Sequence, residues 1–136
     1  MTENKIIHFE IKGDDRGLLV ALEENENIPF AIKRVFYIYD TIEGISRGNH
    51  SHYSAKQLLV VVNGSCKVTL DNGKKKEIFN LDKPNIGLLQ DALIWGSMHD
   101  FSSDCVLMVL ADSYYDENDY IRNYDDFLEV VNENHR

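Results

Sequence analysis

Gly44-Ile-Ser-Arg-Gly-Asn-His50-Ser-His52-Tyr-Ser-Ala-Lys-Gln57, followed by an apolar run that ends at Gly64, is the stretch on which the reading of this chain turns. Its two histidines are separated by one residue. In an extended strand, residues two apart share a face, so His50 and His52 point the same way. If that face is the inside of a barrel, two imidazoles stand side by side in a cavity. Glycines bracket the pair, and the polar Gln57 precedes the next apolar run, giving the spacing G-x5-H-x-H-x4-Q-x6-G.

The surrounding sequence supplies the barrel. Asn4–Ile11, Leu18–Glu23, Ile32–Tyr39, Gln57–Val62, Cys66–Leu70, Lys76–Leu81 and Cys105–Leu110 are rich in β-branched, aromatic or alternating apolar residues, which predicts strands. Turn signals separate them: Gly13-Asp-Asp-Arg-Gly17, Asn63-Gly64, Asp71-Asn-Gly73 and Asp82-Lys-Pro84-Asn85. Asn-Gly pairs tolerate the positive φ of a tight hairpin. Strands this short and frequent predict an all-β antiparallel sandwich or barrel. Helical periodicity appears only near the end, where Tyr120, Tyr124, Phe127 and Val131 form one stripe with Ile121 and Leu128 beside it. A helical segment over about 116–132 is expected, capped by Asp116 or Asp119 and lying over the barrel or across a subunit. With no repeat or linker in the sequence, residues 1–136 read as a single domain.

Composition excludes several functions. Of 136 residues, 43% are hydrophobic and 10% aromatic, which is a folding rather than a disordered composition. No apolar run approaches the roughly 20 residues of a membrane-spanning helix. The start, Met1-Thr-Glu-Asn-Lys5, lacks the profile of a secretory signal, so a cytoplasmic location is expected. A formal net charge of −9 repels nucleic acid and anionic membranes, and neither is an expected partner. A small anionic ligand is still permitted. Arg16, Lys33, Arg34 and Arg47 gather in the first third, and guanidinium forks match phosphate oxygens. Cys66 and Cys105 fall in apolar runs, where buried reduced thiols are expected rather than a disulfide.

The glycine-framed His pair resembles the first motif of the cupin superfamily. In metal-binding cupins, two His and a Glu of that motif are ligands, with a further His from a second motif. Here Gln57 stands at the Glu position. The second motif would begin at Gly87, but Leu93, Trp95 and Met98 occupy its Pro, Gly and His positions. His99 is one residue out of register, which on a strand is the opposite face. Two ligands of four remain, so neither a metal nor any other cofactor is expected.

The resemblance narrows through Arg47-Gly-Asn-His50-Ser-His52, Asn63-Gly-Ser-Cys66, Trp95, the run from His99 to Leu110, and Tyr114-Tyr-Asp-Glu-Asn-Asp-Tyr-Ile-Arg-Asn-Tyr-Asp-Asp-Phe127. With Asp15-Arg-Gly-Leu-Leu-Val-Ala21 and the run from Asn27 to Tyr37, these are similar to the bacterial sugar 3,4-ketoisomerases over nearly the whole chain. The resemblance implies an all-β cupin (RmlC-like) jelly-roll barrel with a short C-terminal helix. It implies a cofactor-free isomerase of dTDP-4-keto-6-deoxy-glucose, assembled as a homodimer with exchanged N-terminal strands. A place in making 3-amino or 3-acetamido-3,6-dideoxy sugars for surface glycans, such as the O-antigen of lipopolysaccharide, is also implied.

Moving a ketone from C4 to C3 means removing the C3 proton, passing through an enediol and protonating C4. Neutral imidazole, with an ordinary pKa near 6.5, accepts and returns protons at physiological pH. His50 and His52 are therefore the candidate catalytic groups, one for carbon and one for oxygen. The enediolate needs a phenol or a guanidinium beside it. Tyr37 and Arg34 are candidates, but Tyr37 shares a strand face with Tyr39 and Arg34 lies on the other, so regular pleating admits only one set. Arg47 is the candidate to hold the diphosphate. Arg16 reaches the sugar or is solvated in its turn, Trp95 stacks on the ligand or packs, and Gln57 orients a His or is a satisfied interior amide. His8, His99 and His135 receive no role. The chain departs from the family at Tyr53, where Lys is common, and at Gly96, where His or Arg is found. Arg16 matches galacto-forming relatives, which favours a 3-keto-6-deoxy-galacto product.

Overall fold

The run Leu58-Leu-Val-Val61 does not alternate, and all four of its side chains are buried. A strand covered on both faces has no polar side to show. The computed structural model describes residues 5–134, and in it this run is the middle of a two-layered barrel. The strands are β1 (Ile6–His8), β2 (Lys12–Asp14), β3 (Gly17–Leu19), β4 (Arg34–Ile38), β5 (Arg47–His52), β6 (Gln57–Asn63), β7 (Cys66–Asp71), β8 (Lys76–Leu81), β9 (Ile86–Gln90), β10 (Trp95–His99), β11 (Val106–Ala111) and β12 (Tyr120–Ile121). One sheet has the order β1-β9-β6-β11-β4 and faces another of order β12-β5-β10-β7-β8. All these pairs are antiparallel, giving the expected cupin jelly roll.

Between the sheets lies a core that includes Leu59, Val61, Val68, Leu70, Leu88, Leu107 and Val109. Cys66 and Cys105 belong to it as free thiols, and burial pushes the Cys66 thiol up to about 12. The outer face of the first sheet is covered by the chain between β3 and β4: Ile28 and Phe30 pack on Leu58, Val60 and Leu110.

Two expectations need correcting. The predicted strand from Asn4 to Ile11 is shorter, with Asn4 outside the described residues; β1 pairs with the chain's own β9, and Lys5 is anchored to Asp91 at 2.8 Å. Gly13 to Gly17 closes the β2–β3 hairpin. The predicted helix over 116–132 is α1 (Tyr124–Asn134) only, and residues 116–121 do something else. Asp116 caps a single 3-10 turn, Glu117–Asp119, after which Tyr120 and Ile121 extend as β12. The α1 cap is Asn123, whose side chain accepts from the Asp126 amide at 3.0 Å. Phe127 and Val131 of α1 pack with Ile121, Leu93 and Trp95 on the outer face of the second sheet.

Candidate active site

His50 and His52 stand on the inner face of β5, their ring centroids 4.9 Å apart and nearly perpendicular. Gly48, with φ 82°, and Asn49, with φ 58°, put two left-handed residues just before them, beside a bulge in the β5–β10 ladder. His50 opens on a cavity of about 230 Å³, whereas His52 lies behind it, 3% exposed. Tyr120 covers both, 4.9 Å from the His50 ring and 4.4 Å from that of His52.

Burial lowers the pKa of both imidazoles, that of His52 to about 4 with help from the neighbouring His50. The Gly48 backbone opposes the shift at His50, though without the alignment of a proper hydrogen bond. His50 Nδ1 and His52 Nε2 are thus buried and unpaired. Both rings are neutral at pH 7, the state in which an imidazole takes a proton from carbon.

The mouth of the cavity is charged. Arg122 lines it, its guanidinium 4.3 Å from the centre of the Tyr120 ring. Glu117 holds Arg122 at 2.7 and 2.9 Å and also accepts from the Tyr115 hydroxyl. Those two donors hold the Glu117 carboxyl down to about 2. Two neutral amides line the cavity beside apolar Leu59, Val68 and Val109: Gln57 and Gln90, opposite each other on β6 and β9. Among the described residues, no group of three or more His, Cys, Asp or Glu side chains is placed to hold a metal ion. Nor is any helix long and apolar enough to cross a membrane.

Comparison with known proteins places this geometry. The sequence profile described as FdtA: WxcM-like, C-terminal, matches residues 2–132. A TDP-4-oxo-6-deoxy-alpha-D-glucose-3,4-oxoisomerase of Aneurinibacillus thermoaerophilus is 55% identical over 129 residues, covering 95% of this chain and 93% of that protein. The chain belongs to the FdtA family of sugar 3,4-ketoisomerases. A crystal structure of a 3,4-ketoisomerase from Helicobacter canadensis superposes with a TM-score of 0.92 at 46% identity, covering 94% of this chain and 96% of that one. A mutant of the 3,4-ketoisomerase QdtA from Thermoanaerobacterium thermosaccharolyticum, in complex with TDP-4-keto-6-deoxyglucose, gives 0.94 at 42% identity, covering 98% and 97%.

Against that family frame, the fold gathers some of the residues expected from sequence and disperses others. His50, Arg47 and Gln57 line the cavity, and His52 touches His50. Arg34 is on the inner face of β4, its guanidinium 5.0 Å from the Phe36 ring and 5.6 Å from that of Tyr115, with Nε buried and unpaired. Tyr37 is the correction that follows: on the other face of β4 it is 65% exposed, beside Tyr39 and away from the cavity. Trp95 also points away, packed edge-on to Tyr124 at 5.2 Å and against Phe127, so it anchors α1 rather than a ligand. Arg16 is at the tip of the β2–β3 hairpin, 87% exposed and ion-paired to Asp14 at 2.6 Å, outside its own chain's cavity. His99 bonds Thr69 at 2.7 Å, on neither histidine's face. Sequence reasoning misses Tyr120, Arg122 and Gln90. An Arg two residues after a Tyr is itself a strand-face signal for the first two.

Proposed function

We propose that this isomerase takes a TDP-linked 4-keto-6-deoxyglucose and moves its carbonyl from C4 to C3 by proton transfers on histidine. The observation that carries this is the His50–His52–Tyr120 cluster opening on a cavity that the neutral amides Gln57 and Gln90 also line. His50, the ring that faces the cavity, removes the C3 proton, and the C–H electron pair becomes the C3=C4 bond of the enediol. The former ketone oxygen takes up negative charge as that bond forms. The Tyr120 hydroxyl and the Arg122 guanidinium are the donors at hand to stabilise it. A proton is then delivered to C4, the C3 hydroxyl loses its own, and the C3 carbonyl forms. His52, behind His50 and Tyr120 and in ring contact with both, completes the proton relay between the two oxygens through them.

Arg47 stands between the sugar cavity and a neighbouring groove formed by Tyr39, Asp40, Thr41, Ile42 and Ile45. A diphosphate at Arg47 would direct the nucleoside into that groove, away from the histidines. The galacto configuration at C4 is the proposed outcome, set by how the ring is held. Such a 3-keto sugar suits an aminotransferase, which places the enzyme in cytoplasmic synthesis of 3-amino-3,6-dideoxy sugars for surface glycans. Incubation with TDP-4-keto-6-deoxyglucose and NMR of the product tests the reading: appearance of a C3 carbonyl supports it, and unchanged substrate without solvent deuterium at C3 overturns it.

A further inference from the structure

Gly96 faces His50 directly across the β10–β5 ladder and lies on the cavity wall. Its φ is not positive, so its backbone would accept any residue. The obstacle is Gln90. A Cβ at position 96 would stand 2.6 Å from Gln90 Nε2 and 2.9 Å from its Cδ and Oε1, closer than such atoms approach. Gln90 comes from β9 of the facing sheet, so its side chain crosses the barrel interior and lies against the backbone of β10. Its Nε2 donates to the Ile94 carbonyl at 3.0 Å, and because a carbonyl only accepts, this bond defines which end of the amide is nitrogen. Oε1 has no hydrogen-bond partner among the described residues, although the residue is buried and lines the cavity. Gln90 therefore carries a fixed amide beside the catalytic ring, with an acceptor and a second N–H left to use.

We infer that Gln90, seated on Gly96, is a substrate-contacting specificity residue. Its Oε1 accepts from a sugar hydroxyl and its free N–H donates to the adjacent oxygen, the hydroxyl–carbonyl pattern that C3 and C4 present before and after the reaction. Holding both oxygens fixes the ring while C4 is protonated, so the pair governs binding and the C4 epimer more than turnover. This rests on the ketoisomerase reading above. The missing side chain at position 96 is the condition for the contact: any Cβ there displaces the amide.

Three variants test it: Gln90→Leu, which keeps volume and removes the polar atoms; Gly96→Ala, which pushes the amide aside; and the double variant. Each single change is expected to raise KM about fivefold or more, the scale of one lost hydrogen bond, and to alter the C4 epimer ratio while kcat changes less. The double variant should be no worse than the weaker single, because both remove the same contact. Wild-type KM and epimer ratio in either single variant, or multiplying effects in the double, overturns the inference. Thermal melts identify folded variants, and Gln90→Asn, too short to reach, replaces Gln90→Leu if that variant does not fold. If the wild type fails to isomerise, the functional reading falls by itself. Calorimetric binding of TDP-4-keto-6-deoxyglucose to the same proteins then decides the contact by the same pattern in Kd.

Discussion

Tyr120 and His52 face each other across the β12–β5 ladder, their ring centroids 4.4 Å apart. A phenol is thereby set over the buried ring of the pair and beside the other, with the Arg122 guanidinium 4.3 Å from its centre. Phenol and guanidinium together are donors for a developing oxyanion. Tyr120→Phe keeps the ring contacts and removes the hydroxyl. We expect kcat to fall at least about tenfold at unchanged melting temperature, against hundredfold effects for removed oxyanion donors elsewhere. Wild-type turnover in folded Tyr120→Phe would remove the hydroxyl from the mechanism.

The histidines should matter more. His50→Asn and His52→Asn are each expected to cost at least about a hundredfold in turnover, the scale of a general acid/base group. Solvent deuterium exchange at C3 separates their roles: His50→Asn should abolish it, whereas His52→Asn should leave more exchange than net isomerisation. Loss of activity on EDTA dialysis, regained with a divalent ion, would point instead to a metal at this site.

Acid should act through the same pair. The folded chain holds His52 down to about 4 and His50 below its ordinary value, while both titrate near 6.5 when unfolded. Between those limits the unfolded chain binds protons that the folded chain does not. Stability is therefore full above about pH 6.5 and falls as pH drops toward 4, by on the order of 3 kcal/mol for His52. Melting temperatures from pH 7.5 to 5 should decline, and His52→Asn should flatten the decline. The acid limb of kcat/KM is expected below 6.5; an acid limb above 6.5 would mean that burial does not hold the working imidazole down.

A homodimer is expected. An apolar groove of about 310 Å³ runs between Ile11 and Leu18 of the hairpin region and Val62, Pro84 and Met108, with Leu18 78% exposed. Surface of this kind is normally covered, and β1 on a sheet edge is placed to pair within its own chain or with a second copy. Sedimentation should show twice the 15.7 kDa of the chain. A single 15.7 kDa species at all concentrations would exclude the dimer.

Arg16 carries the stereochemical prediction. On the exposed hairpin it does not line the cavity of its own chain, so the prediction requires a second copy of the chain to bring Arg16 to the sugar. Arg16→Tyr is expected to shift the product toward gluco while leaving C3 exchange intact. Coupling constants at H4 of the reduced product read this directly. A gluco pattern from the wild type would mean that Arg16 does not set the face.

The barrel and the His pair are legible in the sequence because both rest on a period of two, which pleating enforces. β9 and β10 are not, since Ile86-Gly-Leu-Leu-Gln90 and Trp95-Gly-Ser-Met-His99 carry glycines and few β-branched residues. Tyr120 is misplaced for a sharper reason: its spacing from Tyr124 is that of a helical stripe, although the chain turns between them. Arg34 and Tyr37 illustrate the opposite case. Sequence shows that they lie on different faces, and only the packing of β4 on β11 shows that Arg34, Phe36 and Ile38 face inward. Gln90 leaves no pattern at all, since its contact with Gly96 crosses from one sheet to the other.

The segment from Asp116 to Arg122 is held to the barrel by the β12–β5 ladder, by buried Ile121 and by one carboxylate. Asp119 accepts from the Ser54 amide at 3.0 Å, the Ser54 hydroxyl at 2.8 Å and the Ala55 amide at 3.0 Å, and its carbonyl takes the Tyr53 amide at 2.9 Å. Those bonds act with the β12–β5 ladder to hold Tyr120 and Arg122 beside the histidines and to cover the free side of β5. Peeling the tail away strips the proton-handling cluster and bares a strand edge in the same motion. Inactivation by that route and aggregation share one cause, so preparations that lose activity on storage this way should also turn turbid.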